Sequence, residues 1–254
     1  MKPNLGALFD GYTRVARVYP ALISLAPVIW TAAAVAPNAF TESTLRVGLT
    51  AAVGLGGIAL LANLARSRGK EAESVLLVEW DGWPTTRFLR HRNAIIDPFT
   101  KARYHAKLQQ LSPDLSLPNE GDERRDPRRA DDVYRSATAR LLELRRGPDY
   151  KLLQGENAQY GFRRNLLGLK PVALSLVAAS IAVTSVTYWS PFGAGLARPP
   201  LFAAWLGDFC FVLVFALIVR KEFVRQAADE YALSLLRTLD ENEGKNASHA
   251  AQRV

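Results

Sequence analysis

The chain of 254 residues holds one cysteine, one methionine and three histidines. A lone Cys210 excludes a disulfide within the chain and a cysteine zinc site. His91, His105 and His249 are scattered, with no H-E-x-x-H or comparable spacing for a metal. No G-x-S-x-G, P-loop or dinucleotide glycine pattern occurs; Gly54, Gly56 and Gly57 lie in an apolar run, where small residues serve close helix packing. The chain is therefore read as a non-enzyme that needs no cofactor.

Charge is the next absence. The averages look like a soluble domain, with 49% hydrophobic and 22% charged residues and a mean hydropathy of -0.01. The apolar residues are nevertheless gathered into four blocks nearly free of charge, residues 19–36, 47–65, 171–189 and 201–219. A hydrocarbon core of ~30 Å needs about 20 helical residues, so each block is long enough to span it. Backbone groups in lipid must be satisfied internally, and the blocks lack the alternation of a barrel, which leaves helices. Arg14 and Arg17 ahead of the first block resemble a signal-peptide lead, but Pro20 and Pro27 interrupt the run and the second block follows closely. The segment 37–44 reads as a hairpin between spans.

Lys2, Arg14 and Arg17 precede the first block, Arg66, Arg68 and Lys70 follow the second, Arg163, Arg164 and Lys170 precede the third, and Arg220, Lys221 and Arg225 follow the fourth. The opposite loops offer only Arg46 and Arg198. The positive-inside rule then places both termini and the middle segment in the cytoplasm of a bacterial inner membrane, with Trp189 and Trp205 as outer anchors. The expected architecture is all-α: a polytopic membrane protein with four transmembrane helices and a helical cytoplasmic domain. Its segments are a cytoplasmic lead 1–18, a hairpin 19–65, a basic domain 66–170, a second hairpin 171–219, an amphipathic helix 220–241 continuous with the fourth span, and a disordered tail 242–254.

Within the middle, the spacing predicts helices over 71–80, 98–111 and 130–146, the last with Val133, Ala137, Leu141 and Leu144 on one face. Residues 112–129, with Pro113, Pro118, Pro127 and mixed charge, read as an exposed loop. After the fourth block, Val224, Ala227, Ala228, Tyr231, Leu235 and Leu239 form an amphipathic stripe.

Two groups of residues point to function. Asp208 lies seven residues into the fourth block, where a lipid-facing carboxylate costs about 2.5–3.5 kcal/mol. It is read either as lining a pore or as hydrated near the outer interface; Thr184 and Ser185 are weaker pore candidates, since helices also bury hydroxyls on their own carbonyls. The second group is basic and aromatic. Residues 66–170 carry 21 Lys or Arg against 15 Asp or Glu, most of the net +8. Trp83, Arg87, Arg90, His91 and Arg92 are followed by Lys101, Arg103, Tyr104 and Lys107, and Tyr160 by Arg163 and Arg164. Cations with stackable rings are what single-stranded nucleic acid needs. The alternatives are anionic lipid for Arg163 and Arg164, and internal pairing with Asp81 or Asp97 for the first cluster.

The stretches W-P-T-T-R-F-L-R-H-R from Trp83, D-P-F-T-K-A-R-Y-H from Asp97 and E-N-A-Q-Y-G-F-R-R-N-L-L-G from Glu156 resemble a bacterial family of four-span pore-forming effectors of antiphage defence, the channel effectors of Hailong systems among them. The resemblance covers spans and middle domain. It implies a homotetrameric ion channel that single-stranded oligodeoxyadenylate, made by a nucleotidyltransferase encoded alongside, holds shut. Loss of that ligand would open the pore and depolarise the cell. The competing reading is a non-conducting membrane-anchored sensor or scaffold that binds a partner protein or anionic lipid; a small transporter is a third.

Overall fold

The computed structural model of the protein describes residues 11–37, 44–147, 149–190 and 195–251, with side chains at 44–53 and 241–251 excepted. Regular structure among these residues is entirely helical: α1 Gly11–Thr13, a π-helical turn Arg14–Val18, α2 Tyr19–Val35, α3 Thr44–Glu79, α4 Pro84–Leu89, α5 Pro98–Leu111, α6 Glu120–Arg125, α7 Pro127–Leu144, α8 Lys151–Trp189, α9 Arg198–Leu217 and α10 Lys221–Ala251. Among the described residues three helices, Gly11–Val35, Lys151–Trp189 and Arg198–Leu217, are long and apolar enough to cross a membrane. The fourth expected span, 47–65, falls in α3 and lies partly outside the described side chains. The chain divides into two compact units, Met1–Ser74 with Ala158–Arg225, and Val75–Asn157 with Gln226–Val254.

The first unit is built from narrow buried stripes. On α2, Pro20, Ala21, Ser24, Pro27, Thr31 and Ala34 face inward, and on α9 Leu201, Ala204, Asp208, Phe211 and Phe215 do so. The spacing of three and four residues is that of one helix face, and small residues on α2 let the backbones approach. Outside the stripes the helices expose apolar side chains: Ile29, Phe202, Phe209 and Leu217 are each more than half accessible. Such a surface suits lipid and not water. At 1.5 Å per residue α8 is about 58 Å long, so only its apolar later half fits a ~30 Å hydrocarbon layer.

Two local features fix how these helices meet. Pro20 brings no N–H to the Ala16 carbonyl; that oxygen instead accepts from Asn165 Nδ2 on α8 at 2.6 Å, beside the π-helical turn. Farther along α8, a Cβ on Gly168 would stand 2.5 Å from the Arg68 carbonyl carbon, so α3 and α8 touch backbone to backbone. The fourth block was expected to run on as one helix, but α9 ends at Leu217 and α10 begins at Lys221. Basic side chains of α8 reach this junction: Lys170 Nζ donates to Val219 O at 2.9 Å and Arg163 Nη1 to Phe223 O, in the first turn of α10, at 3.1 Å.

The second unit has an ordinary apolar core of Phe88, Leu89, Leu108, Tyr134, Leu141, Leu236 and Leu239. Asp97 caps α5 by accepting from Thr100 N, and Asp126 caps α7 by accepting from Arg129 N, each followed by Pro in the first turn. The segment 112–129 is not wholly loop. It contains α6, started by a capping box in which Asn119 and Asp122 satisfy each other's backbone N–H. The buried face of α7 runs through Ala130, Tyr134, Ala137, Thr138 and Leu141; Leu144 is exposed, because the bulky Tyr134 ring rather than Val133 fills the core. The backbone of α10 stays helical to Ala251, past the break expected at Asn242.

Candidate functional site

In the second unit, α3 ends in a Schellman arrangement: Gly82 N–H donates to Leu77 O at 2.8 Å and Asp81 N–H to Val78 O at 3.3 Å. Asp81 takes the left-handed φ of 59° usually left to glycine. Arg90, 5% exposed, holds it there. The guanidinium donates to the Asp81 carboxylate, to Asp81 O at 2.7 Å, and bidentately to Asp131 on α7 at 2.8 and 2.7 Å. Lys101 is equally buried and donates to the carbonyls of Arg90, at 2.8 Å, and Asn93. Burial pushes its ammonium pKa down, opposed by the charge of Glu123.

Glu123, on the short α6, is the residue the sequence reading missed. It is 3% exposed and accepts from His91 N at 2.7 Å and Tyr134 OH at 3.0 Å, while Arg92 Nη1 stands at 3.3 Å. Burial alone would raise its carboxyl pKa, but these donors bring it below the ordinary value. His91 and His105 meet edge to face at 4.8 Å; His91 Nε2 is 3.0 Å from Pro118 O and His105 Nε2 2.8 Å from Leu89 O. The signal for Glu123 was the N-x-x-D spacing at 119–122, which starts the helix that carries it.

The remaining basic candidates are dispersed. Arg103 and Lys107 both donate to Asp240 on α10, at 3.0–3.1 and 2.8 Å. Tyr104 is a core residue, 5% exposed, and its ring is not open to a base. Arg87 packs its guanidinium 6.0 Å from the Phe88 ring centre. Trp83 is 40% exposed on the rim of a cleft of about 390 Å³ that Arg128 and Arg135 also line. Tyr160, Arg163 and Arg164 belong to the first unit: Tyr160 OH and Arg164 Nη1 both donate to Glu73, at 2.6 and 2.7 Å, and Arg163 stacks 4.6 Å over Phe223. Arg90, His91, Arg92 and Lys101 therefore come together, and the others do not join them.

Between α2, α8 and α9 of the first unit runs a polar seam. Asp208 is fully buried and accepts from the Trp30 indole N–H at 2.7 Å; its other oxygen has no hydrogen-bond partner. Thr31 and Thr184 pair at 3.4 Å, and Ser24 and Ser180 are buried on the same inner faces. Ser185, with Thr184, borders a cleft between α8 and α9. Asp208 is thus sealed within the chain.

No family model, curated protein or solved structure matches the chain. Among the described residues no group of three His, Cys, Asp or Glu is placed to hold a metal. The Trp83 cleft balances Arg90, Arg128 and Arg135 against Asp81, Asp131 and Asp132, so its field favours neither sign strongly. The turn 90–93 is a cross-link between α4, α5, α6 and α7, held by charge-assisted bonds. The seam places one unsatisfied carboxylate oxygen among apolar helices, where leaving it unpaired costs about 1–3 kcal/mol or more.

Proposed function

We propose that the protein is a pore-forming effector of the bacterial inner membrane, with α3 supplying a fourth span over 47–65 and both termini in the cytoplasm. Copies assemble, as a tetramer in the resemblance, around a polar path to which Asp208, Thr184 and Thr31 contribute. The observation that carries this reading is the sealed Asp208 carboxylate with one oxygen unpaired. A buried polar group of this kind inside membrane helices is expensive and marks an ion path more often than a structural contact. One chain offers no aqueous route, so conduction requires an oligomer with the seam opened. The ligand, single-stranded oligodeoxyadenylate from a partner nucleotidyltransferase, keeps it closed; Trp83, Arg92, Arg128 and Arg135 are the residues placed to meet it, since Arg90 and Lys101 are fully engaged within the chain.

Protein reconstituted into planar bilayers should conduct, the oligonucleotide should lower the conductance, and Asp208→Asn should change its cation preference. Conductance indifferent to Asp208→Asn overturns the assignment of the seam. A second reading, a non-conducting membrane-anchored scaffold, is favoured by the pairing of Arg103 and Lys107 with Asp240 and by the charge-balanced cleft. Silence with and without oligonucleotide, from protein verified as inserted, decides for it.

A further inference from the structure

The cleft between α8 and α9 has a volume of about 360 Å³ and is lined by Ser185, Tyr188, Trp189, Leu201, Phe202 and Trp205 among others. Both helices are long and apolar enough to cross a membrane, so the medium outside the cleft is lipid. The lining opens onto that medium: Trp189 is 83% and Phe202 59% exposed. Tyrosine and tryptophan concentrate where hydrocarbon gives way to headgroups, and three of them, Tyr188, Trp189 and Trp205, line this cleft. Beside them Arg198 lays its guanidinium 4.5 Å over the Tyr188 ring and donates to the Tyr188 carbonyl. That cation remains exposed to solvent.

We propose that this cleft seats an acyl chain of an anionic phospholipid, with the lipid phosphate on Arg198. An acyl chain gains nothing by exchanging other chains for an apolar wall, so selectivity has to come from shape and headgroup. The groove supplies shape and Arg198 supplies a charge-assisted bond to phosphate, backed by an aromatic face that orients the guanidinium. Ser185 contributes a small side chain where a larger one would close the groove. The inference rests on α8 and α9 lying in a membrane and not on conduction, so a silent protein still binds the lipid.

The test uses full-length protein in detergent, titrated with phosphatidylglycerol and phosphatidylcholine and read by native mass spectrometry. The expected result is one phosphatidylglycerol retained per chain, with about a tenfold preference over phosphatidylcholine, whose choline cation cancels the net charge that Arg198 attracts. Arg198→Gln should erase the preference, weakening phosphatidylglycerol more than phosphatidylcholine. Ser185→Phe should abolish retention of both, and sn-glycerol 3-phosphate alone should not compete. A preference that survives Arg198→Gln, or retention that survives Ser185→Phe, overturns the proposal in favour of lipid bound around the whole surface. A Ser185→Phe protein that loses its oligomeric mass but keeps its lipid overturns it in favour of a second copy in the cleft.

Discussion

Replacing Arg90 with Ala separates a structural role from a ligand-binding one. The guanidinium is 6% exposed at its side chain, whereas its partners Asp81 and Asp131 are 78% and 27% exposed. Orphaning a buried charge costs about 3–5 kcal/mol, but here both carboxylates can rehydrate, so the loss stays near the lower bound. The Asp131 fork dominates, each bond to a charged group contributing about 1.5–3 kcal/mol, and the exposed Asp81 pair adds little. A loss of about 3 kcal/mol accelerates amide exchange through local opening by about two orders of magnitude. Hydrogen–deuterium exchange on peptides covering α4 and α7 is the assay, with Asp81→Gly as the contrast. That change removes a left-handed penalty of about 1–2 kcal/mol and an exposed ion pair of about 0.2–1 kcal/mol, so exchange should scarcely move. Wild-type exchange in Arg90→Ala, together with weaker oligonucleotide binding, would refute the reasoning and return Arg90 to the ligand site.

Gly168→Ala should loosen the α3–α8 crossing by about 1–3 kcal/mol, since the new methyl meets backbone and not a movable side chain; thermal unfolding in detergent measures it. Trp30→Phe leaves both Asp208 oxygens unpaired and should destabilise by about 1–3 kcal/mol, with Trp30→Phe/Asp208→Leu recovering part of the loss. The second unit should weaken in acid. Burial, then the nearby His91 and Lys101, lower the His105 pKa against the Leu89 carbonyl and the Glu123 charge, and the Tyr134 ring packs on it. A folded value below the unfolded ~6.5 means this contribution is present above about pH 6.5 and lost as pH falls through the folded value. Glu123, also lowered, adds a second loss below about pH 4.5, and His105→Phe should remove only the first step in melts followed from pH 8 to 4.

How far the sequence carried depended on how local each signal was. Helix α5 was legible to the residue because Asp97 and Pro98 mark its start in adjacent positions. The same Asp-Pro pair opens α7 at 126–127, yet it went unread inside a stretch dominated by proline and mixed charge, and α6 with Glu123 was lost with it. The partners of the basic residues were beyond reach for another reason. Arg90 finds Asp131 41 positions away and Lys107 finds Asp240 133 away, distances at which charge composition says nothing about pairing. Asp97, offered as an internal partner, caps its own helix instead. Asp208 was visible as an anomaly, but its burial depended on Trp30, 178 positions earlier, offering an indole N–H.

The interruption at 218–220 has a mechanical meaning. An unbroken rod would hand any twist of α10 straight to α9, residue by residue along its own hydrogen-bond ladder. With the rod cut, side chains of α8 reach the junction through Lys170 and Arg163, while Arg220 reaches back to the Ala216 carbonyl of α9. Phe223 is therefore fastened sideways to α8, the helix that carries Thr184 against Thr31, as well as along its own ladder.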